Sequence, residues 1–171
     1  PKFREHLDVG DNFEFLTCKP QVVSFQTLFS FHRHIEELEP DVLHSLAPLA
    51  PIFFNGPLIV TLHDLQPLID PDFHSQRPRI ARQAYQLFYK WAYPTVLAQA
   101  KWVLCVSAAT RDDAVQLYPG LRSKLIVCHS GLSPLPYLPT DNQTEAIVQK
   151  LGLQEPYDIY YGSTRPNKNR K

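Results

Sequence analysis

The chain has 171 residues, enough for one domain with a sizeable core or for one domain and part of another. Its 17 Lys and Arg residues balance its 17 Asp and Glu residues, so no global field draws it to nucleic acid or to anionic lipid. Apolar residues make up 44% of the sequence, as in globular proteins, and no apolar run approaches the roughly 20 residues of a membrane-spanning helix.

The cysteines bear on the redox compartment of the protein, and the lack of methionine bears on whether the chain is complete. Cys18, Cys105 and Cys128 are widely spaced, and the last two lie inside apolar, strand-like runs, where a thiol behaves as a small hydrophobic group. This usage favours a reducing compartment over a disulfide framework. The sequence contains no Met, not even at position 1, so we expect the chain to be a fragment of a longer protein.

Hydrophobic periodicity predicts that helices and strands alternate along the chain. Pro40 ends the first predicted helix, and Ser107 is a good N-cap for the third. The predicted helices are 21–38, 77–100, 108–118 and 144–151, with a proline-rich linker at 133–141. The predicted strands are short and apolar: 41–45, 58–62, 102–106, 125–131 and 157–163.

The alternation predicts an α/β fold, a parallel sheet flanked by helices, since no Asn-Gly or Asp-Gly turn joins the strands into hairpins. Ligands of such sheets bind outside the carboxyl ends of the strands. Polar residues stand at four of the predicted strand ends: His44 and Ser45, His63 and Asp64, Ser107, and His129 and Ser130.

His63 and Asp64 stand where the strand 58–62 surfaces, and two kinds of role are open to them. An imidazole there can carry a proton or bind a ligand, or it can simply hold a loop carbonyl, which is the commoner role of a single histidine. No metal site is predicted, because the histidines lack close partners at a spacing such as HExxH. Ser107 lacks the G-x-S-x-G context of a nucleophile, so a helix cap is the better interpretation.

Five segments, in this order, resemble the retaining glycosyltransferases of family 4. They are PDVLHS (40–45), LIVTLHDLQPL (58–68), AKWVLCVSAATRDDAVQLY (100–118), KLIVCHSGL (124–132) and YDIYYGSTRPNKN (157–169). The resemblance implies the GT-B fold, in which two Rossmann-like domains face each other across a cleft. Residues 1–133 would be the later part of the N-terminal, acceptor-side domain, and 134–152 a linker with a short helix. Residues 153–171 would be the first strand and phosphate loop of the C-terminal, donor-side domain.

The resemblance also implies roles for single residues. His63 matches the family's histidine near the donor sugar, and Asp64 is its neighbour, which orients the loop more than it does acid–base work; these two are the catalytic candidates. The donor-binding candidates are Ser107, Ser130, Gly131, Gly162, Arg165 and Lys168. Ser130 stands where the family has Asn, and Asn167 where it usually has Arg, so two donor contacts differ from the pattern.

The implied function is transfer of a sugar, of the hexosyl type, from a nucleotide-sugar to a glycan, lipid-linked or other acceptor with retention of configuration, as in polysaccharide biosynthesis. The resemblance implies no metal, no other cofactor and no nucleic acid. It implies a cytoplasmic protein and allows peripheral membrane association of the full-length protein, while the fragment alone should be inactive. The two departures leave a non-catalytic GT-B-like scaffold as the alternative. An epimerase would need GxGxxG and Tyr-x-x-x-Lys, which the chain lacks.

Overall fold

The computed structural model describes residues 12–18, 24–70, 73, 77–131, 140–154, 156, 158 and 162. The helices in these ranges are α1 (Phe25–Phe29), α2 (Phe31–Glu36), α3 (Gln66–Ile69), α4 (Arg79–Gln99), α5 (Ala108–Leu117) and α6 (Asp141–Leu151). The strands are β1 (Leu43–Ser45), β2 (Leu58–Leu62), β3 (Trp102–Cys105) and β4 (Leu125–Val127). A short 3-10 helix, Pro119–Lys124, leads into β4.

The four strands form one parallel sheet in the order β1-β2-β3-β4, which confirms the predicted α/β fold. In the register of the sheet, Val60 lies beside Val103, and Val103 lies beside Leu125. Parallel neighbours require crossover connections, and these are almost always right-handed. Because the strands follow one another in sequence order, such connections carry α4 and α5 to the same face of the sheet.

The face under α4 and α5 forms the core. Its strand residues have almost no exposed surface, and α4 contributes apolar side chains to the same cluster. The strand members are Leu58, Val60, Leu62, Val103, Cys105 and Leu125, and the α4 members are Tyr89, Ala92, Tyr93, Val96 and Leu97. This packing orders the strands and so fixes where their carboxyl ends lie.

The opposite face of the sheet, called here the open sheet face, is only partly covered by the residues that the structure describes. Ile59, Thr61 and Leu104 are half-buried there, while His44, Trp102 and Ile126 are exposed. The Nε2 atom of His44 lies 2.9 Å from Oγ1 of Thr61 on this face. The described part of the sheet is therefore a two-layer arrangement, with helices on one side.

Helix α4 is longer than the strands it covers. Its 21 residues span about 31 Å, whereas the five residues of β2 span about 17 Å. Its C-terminal end is held at the amino edge of the sheet, because Lys101 N donates to Leu58 O (2.7 Å) and Lys124 Nζ donates to Ala98 O (2.6 Å) and to Ala100 O (2.8 Å). The excess length therefore lies at the other end, so the first turns of α4 extend past the carboxyl edge. No residue of 79–88 is buried.

Two predicted elements differ from the observed ones for identifiable reasons. The single helix predicted at 21–38 is two helices that meet at Ser30, because Leu28 O accepts a hydrogen bond from Ile52 N (3.0 Å) instead of continuing the helical ladder. The strand predicted at 125–131 ends at Val127, because its partner β3 ends at Cys105. Cys128 consequently lies beyond the strand and is exposed, so its predicted burial is wrong.

Towards the C-terminus, α6 begins at Asp141, three residues before the predicted start. Thr140 and Gln143 form a capping box that adds the extra turn. Of the strand predicted at 157–163, only residues 158 and 162 are among those described, so that prediction lies outside the described residues.

Candidate functional site

His63 follows β2 directly, at the carboxyl edge of the sheet, and its side chain is exposed. Its Nε2 atom lies 2.9 Å from the backbone oxygen of Leu46, which follows β1. A carbonyl oxygen only accepts, so Nε2 carries the hydrogen of this bond. In the neutral ring Nδ1 is then a hydrogen-bond acceptor, and it bonds to none of the described residues.

The two roles considered for His63 are therefore not exclusive. One ring nitrogen holds a loop carbonyl, as the structural interpretation expects, and thereby links the ends of β1 and β2. The other nitrogen of the neutral ring can accept a hydrogen bond, with the ring already oriented by the first bond.

Asp64 orders the loop that follows. Its Oδ1 atom accepts a hydrogen bond from the backbone N of Gln66 at 3.1 Å, at the start of α3. The carboxylate therefore contacts the loop between β2 and α3, and the side chain is exposed. The contact resembles an Asx turn, in which the carboxylate replaces a backbone acceptor.

Ser107 caps α5, as predicted. Its Oγ atom accepts a hydrogen bond from the backbone N of Thr110 at 3.1 Å and lies 3.0 Å from Oγ1 of Thr110. The Oγ1 atom of Thr110 in turn donates to the backbone oxygen of His63 at 3.2 Å. The first turn of α5 is thereby tied to the backbone of the histidine.

Sequence reasoning missed Thr110. Its side chain is buried although it is polar, and it joins the cap of α5 to a residue 47 positions earlier in the chain. The only local signal is the pair of hydroxyl residues three positions apart in the segment SAAT. That spacing predicts a helix cap, but the long-range bond depends on the pairing of β2 with β3.

The structure describes only some of the remaining candidate residues. Ser130 and Gly131 follow β4 at the same edge of the sheet, and both are exposed. A Cβ atom added at Gly131 would meet nothing within 4 Å, so packing among the described residues does not require glycine there. Gly162 is exposed and is flanked by residues outside the described ranges, and Arg165 and Lys168 lie outside them altogether.

A hollow of about 420 Å³ lies on the β1 side, and Leu46, whose backbone oxygen bonds to His63, is part of its wall. It lies between α1, α2 and the loop after β1, and its walls include Phe31, Ile35, Leu43 and Leu46. The hydroxyl of Ser45, also in the wall, is turned to its own loop, 2.9 Å from Ala47 O and 2.8 Å from Leu49 O. The hollow therefore offers apolar surface next to Leu46, the residue whose backbone oxygen holds His63.

Burial raises the pKa of two other titratable groups near this edge. It raises the pKa of Tyr93 well above its usual value, with smaller contributions in the same direction from Tyr89 and Asp64. It also raises the pKa of the Cys105 thiol to about 11, although Arg111 acts in the opposite direction. Neither group is an acid or a nucleophile at neutral pH.

In the part of the chain that the structure describes, no group of three or more His, Cys, Asp or Glu side chains is arranged to hold a metal ion. Among those same residues, no helix combines the length and the apolar composition needed to cross a bilayer.

The parallel sheet, its flanking helices and its polar carboxyl edge define a Rossmann-like α/β domain. The family Glycosyltransferase Family 4 matches residues 2–134, and the chain belongs to this family. Alpha-maltose-1-phosphate synthase of Mycobacterium tuberculosis, from strains CDC 1551 / Oshkosh and ATCC 25618 / H37Rv, is 29% identical to the chain over 121 residues. This similarity covers 67% of the chain but only 29% of the synthase, so the chain spans less than a third of the length of these relatives.

Proposed function

We propose that the chain provides the acceptor-side half of a retaining glycosyltransferase that moves a hexosyl group from a nucleotide-sugar to an acceptor. The family match over residues 2–134, with an oriented histidine at the carboxyl edge of the sheet, carries this proposal. In it, residues 1–133 belong to the acceptor-side domain, 134–152 form the connection, and 153–171 begin the donor-side domain. The isolated chain would then be inactive.

His63 is proposed to position the donor sugar. Because Nε2–H is used by Leu46 O, the neutral ring accepts a sugar hydroxyl at Nδ1, and its orientation is fixed before the donor arrives. Retaining transfer on one face of the sugar lets the leaving phosphate take the acceptor's proton. The protein then needs positioning groups more than a strong base, and Asp64 serves by ordering the loop.

The donor diphosphate is proposed to leave without a metal or another cofactor. Positive charge from Arg165 and Lys168, together with the N-terminal end of α5 at Ser107, would stabilise the departing phosphates. Backbone groups of Ser130, Gly131 and Gly162 would complete the donor contacts.

The acceptor is proposed to enter the hollow between α2 and the loop after β1. The hollow adjoins Leu46, whose carbonyl holds His63, so an acceptor seated there would have its hydroxyl beside the donor sugar. The apolar wall suits an acceptor with an apolar part, which includes lipid-linked sugars. An acceptor of that kind would bring a cytoplasmic protein to the inner face of a membrane.

The test is the substitution His63→Ala in the complete transferase, with His44→Ala as the matched control. Both histidines are exposed and each has Nε2 at 2.9 Å from one oxygen, but His44 bonds to Thr61 on the open sheet face. We expect His63→Ala to lower kcat roughly 10²–10³-fold, as for loss of one preorganised hydrogen bond, with a smaller change in donor affinity. His44→Ala should leave both values unchanged.

Equal kcat for the wild type and a folded His63→Ala variant would return His63 to the purely structural role. A folded wild type that transfers no sugar from any nucleotide-sugar, yet binds an acceptor, would favour the non-catalytic scaffold instead. The replacements at Ser130 and Asn167 are the features that support this alternative.

A further inference from the structure

The outward side of α4 carries an apolar stripe that the described part of the protein leaves uncovered. Ile80 is 83% exposed, Leu87 is 70% exposed and Trp91 is 43% exposed. Their spacing of seven and four positions places them in one line along the helix. The buried residues of α4 lie between Tyr89 and Leu97, on the side of the helix that faces the core.

Helix α1 widens this stripe into a patch. The ring of Phe29 stacks on that of Trp91 with centroids 5.7 Å apart, and the ring of Phe25 meets that of Phe88 edge-on at 5.4 Å. Phe25 itself is 67% exposed. We call the surface formed by Phe25, Phe29, Ile80, Leu87 and Trp91 the aromatic patch.

The part of the patch on α4 belongs to a helix whose charged residues are all cationic. Arg79, Arg82 and Lys90 are on α4, and the helix contains no Asp or Glu. Arg77 precedes it and covers the ring of Tyr85, with its guanidinium carbon 4.2 Å from the ring centroid. None of these four cations pairs with a carboxylate of the described residues. The chain as a whole is neutral, so this is a local concentration of positive charge.

We propose that the aromatic patch, with the exposed cations Arg79 and Lys90 at its flank, binds the surface of a bilayer that contains anionic lipid. Exposed Trp, Phe and Leu side chains on a helix with Lys and Arg and no acidic residue fit the interface between lipid headgroups and acyl chains. The cations meet lipid phosphates, while the apolar stripe lies just below them. This inference deepens the membrane association included in the proposed function and rests on that part of it.

The direction of α4 relates this surface to the candidate site. The helix extends past the carboxyl edge of the sheet, where His63 lies, and the exposed Ile80 is in the extending part. A protein bound through the patch therefore has the carboxyl edge of its sheet near the lipid surface. An acceptor whose apolar part lies in the bilayer could reach the hollow without leaving the membrane entirely.

The test measures binding of the full chain to vesicles of phosphatidylcholine alone and of phosphatidylcholine with phosphatidylglycerol in equal parts. We expect binding only to the anionic vesicles, weakened by added salt. The double substitution Arg79→Gln and Lys90→Gln should weaken it roughly 25-fold, at about fivefold for each cation. Leu87→Glu should weaken it roughly tenfold or more, because an apolar contact is replaced by a charge that the anionic surface repels.

The matched controls change residues outside α1 and α4. Arg122→Gln removes a cation from the 3-10 helix, and Ile147→Glu changes an exposed apolar residue of α6. Arg170→Gln with Lys171→Gln tests the basic end of the sequence. All three should bind like the wild type. Equal binding to both vesicle types, no binding to either, or wild-type binding by the Leu87→Glu variant would overturn the proposal.

Tryptophan fluorescence gives a second, independent measurement, since the chain has only two tryptophans. In the Trp102→Phe variant, the emission maximum of the remaining Trp91 should shift to shorter wavelength on the anionic vesicles. With Trp91→Phe, the remaining Trp102 should not shift. The reverse result would mean that the open sheet face touches the lipid, and it would overturn the assignment to α4. None of these outcomes bears on sugar transfer to a water-soluble acceptor. The membrane proposal can therefore fail while the proposed transferase function stands, and the reverse also holds.

Discussion

Cys105 ends β3 with its side chain fully buried, whereas Cys128 lies just past β4 with its side chain exposed. The sequence places both in similar apolar runs, yet the chemistry of the two thiols differs. Burial disfavours the thiolate of Cys105 and raises its pKa to about 11, well above the usual 9.0. A thiol in that state serves as part of the core.

The raised pKa of Cys105 predicts how stability depends on pH. Between pH 9.0 and about 11 the unfolded chain loses this proton while the folded chain keeps it, so the stability that the group contributes is lost as pH rises. Urea unfolding across this range should show a fall in stability that is smaller in Cys105→Ala. In the native wild type, a thiol reagent should modify Cys18 and Cys128 promptly and Cys105 only after unfolding. Prompt modification of all three thiols would contradict the burial of Cys105.

At the scale of single elements, α1 and α5 begin with the same type of N-cap. Ser24 caps α1 and Ser107 caps α5, each with Oγ at 3.1 Å from the backbone N of a threonine three residues later. In α5 the threonine also reaches the backbone oxygen of His63. The cap of α5 therefore also holds the loop of the candidate site, besides stabilising its own helix.

This difference predicts separate effects of two cap substitutions. Thr110→Val keeps the shape of the side chain but removes the bond to His63 O, which should cost about 1 kcal/mol of stability and also lower kcat in the complete transferase. Ser24→Ala should cost a similar amount, about 1 kcal/mol, with no change in kcat. Unfolding and kinetics of both variants, measured where both are folded, check this. If kcat fell equally in Thr110→Val and Ser24→Ala, the loss would reflect lower stability and not the bond to His63.

The limits of sequence interpretation also lie at this scale. β2 was predicted with its observed bounds, because five apolar or β-branched residues run unbroken between Pro57 and His63. The break at Ser30 was not predicted, because the apolar pattern continues through it and the cause is a hydrogen bond from distant Ile52. Local patterns predict elements well, whereas contacts between elements depend on how they pack.

The same limit applies to the candidate site. Its location at the carboxyl edge of the sheet followed from strand order and polar strand ends, before any contact was visible. The bond from His63 to Leu46 O crosses 17 positions and the bond from Thr110 to His63 O crosses 47, so neither has a local signal. The hollow beside Leu46 likewise arises only when α2 meets the loop after β1.

For the molecule as a whole, the proposed assignment of acceptor and donor contacts to two domains predicts weak donor binding by this chain alone. Most donor contacts are assigned to a second domain, of which residues 153–171 would be only the beginning. Calorimetry with UDP-, GDP- and ADP-sugars should therefore detect little or no binding to the 171-residue chain. Micromolar binding would mean that the donor site lies within residues 1–133 and that the proposed domain assignment is wrong.

The bond that orients His63 ends on a backbone oxygen, and this has an evolutionary consequence. Every amino acid carries that oxygen, so position 46 can mutate without turning the imidazole. The leucine side chain itself is 70% exposed and forms part of the wall of the hollow. Under the proposed function, substitutions there change which acceptor fits while the histidine stays in place. Acceptor preference would then drift, or be selected in the laboratory, independently of the proposed transfer step.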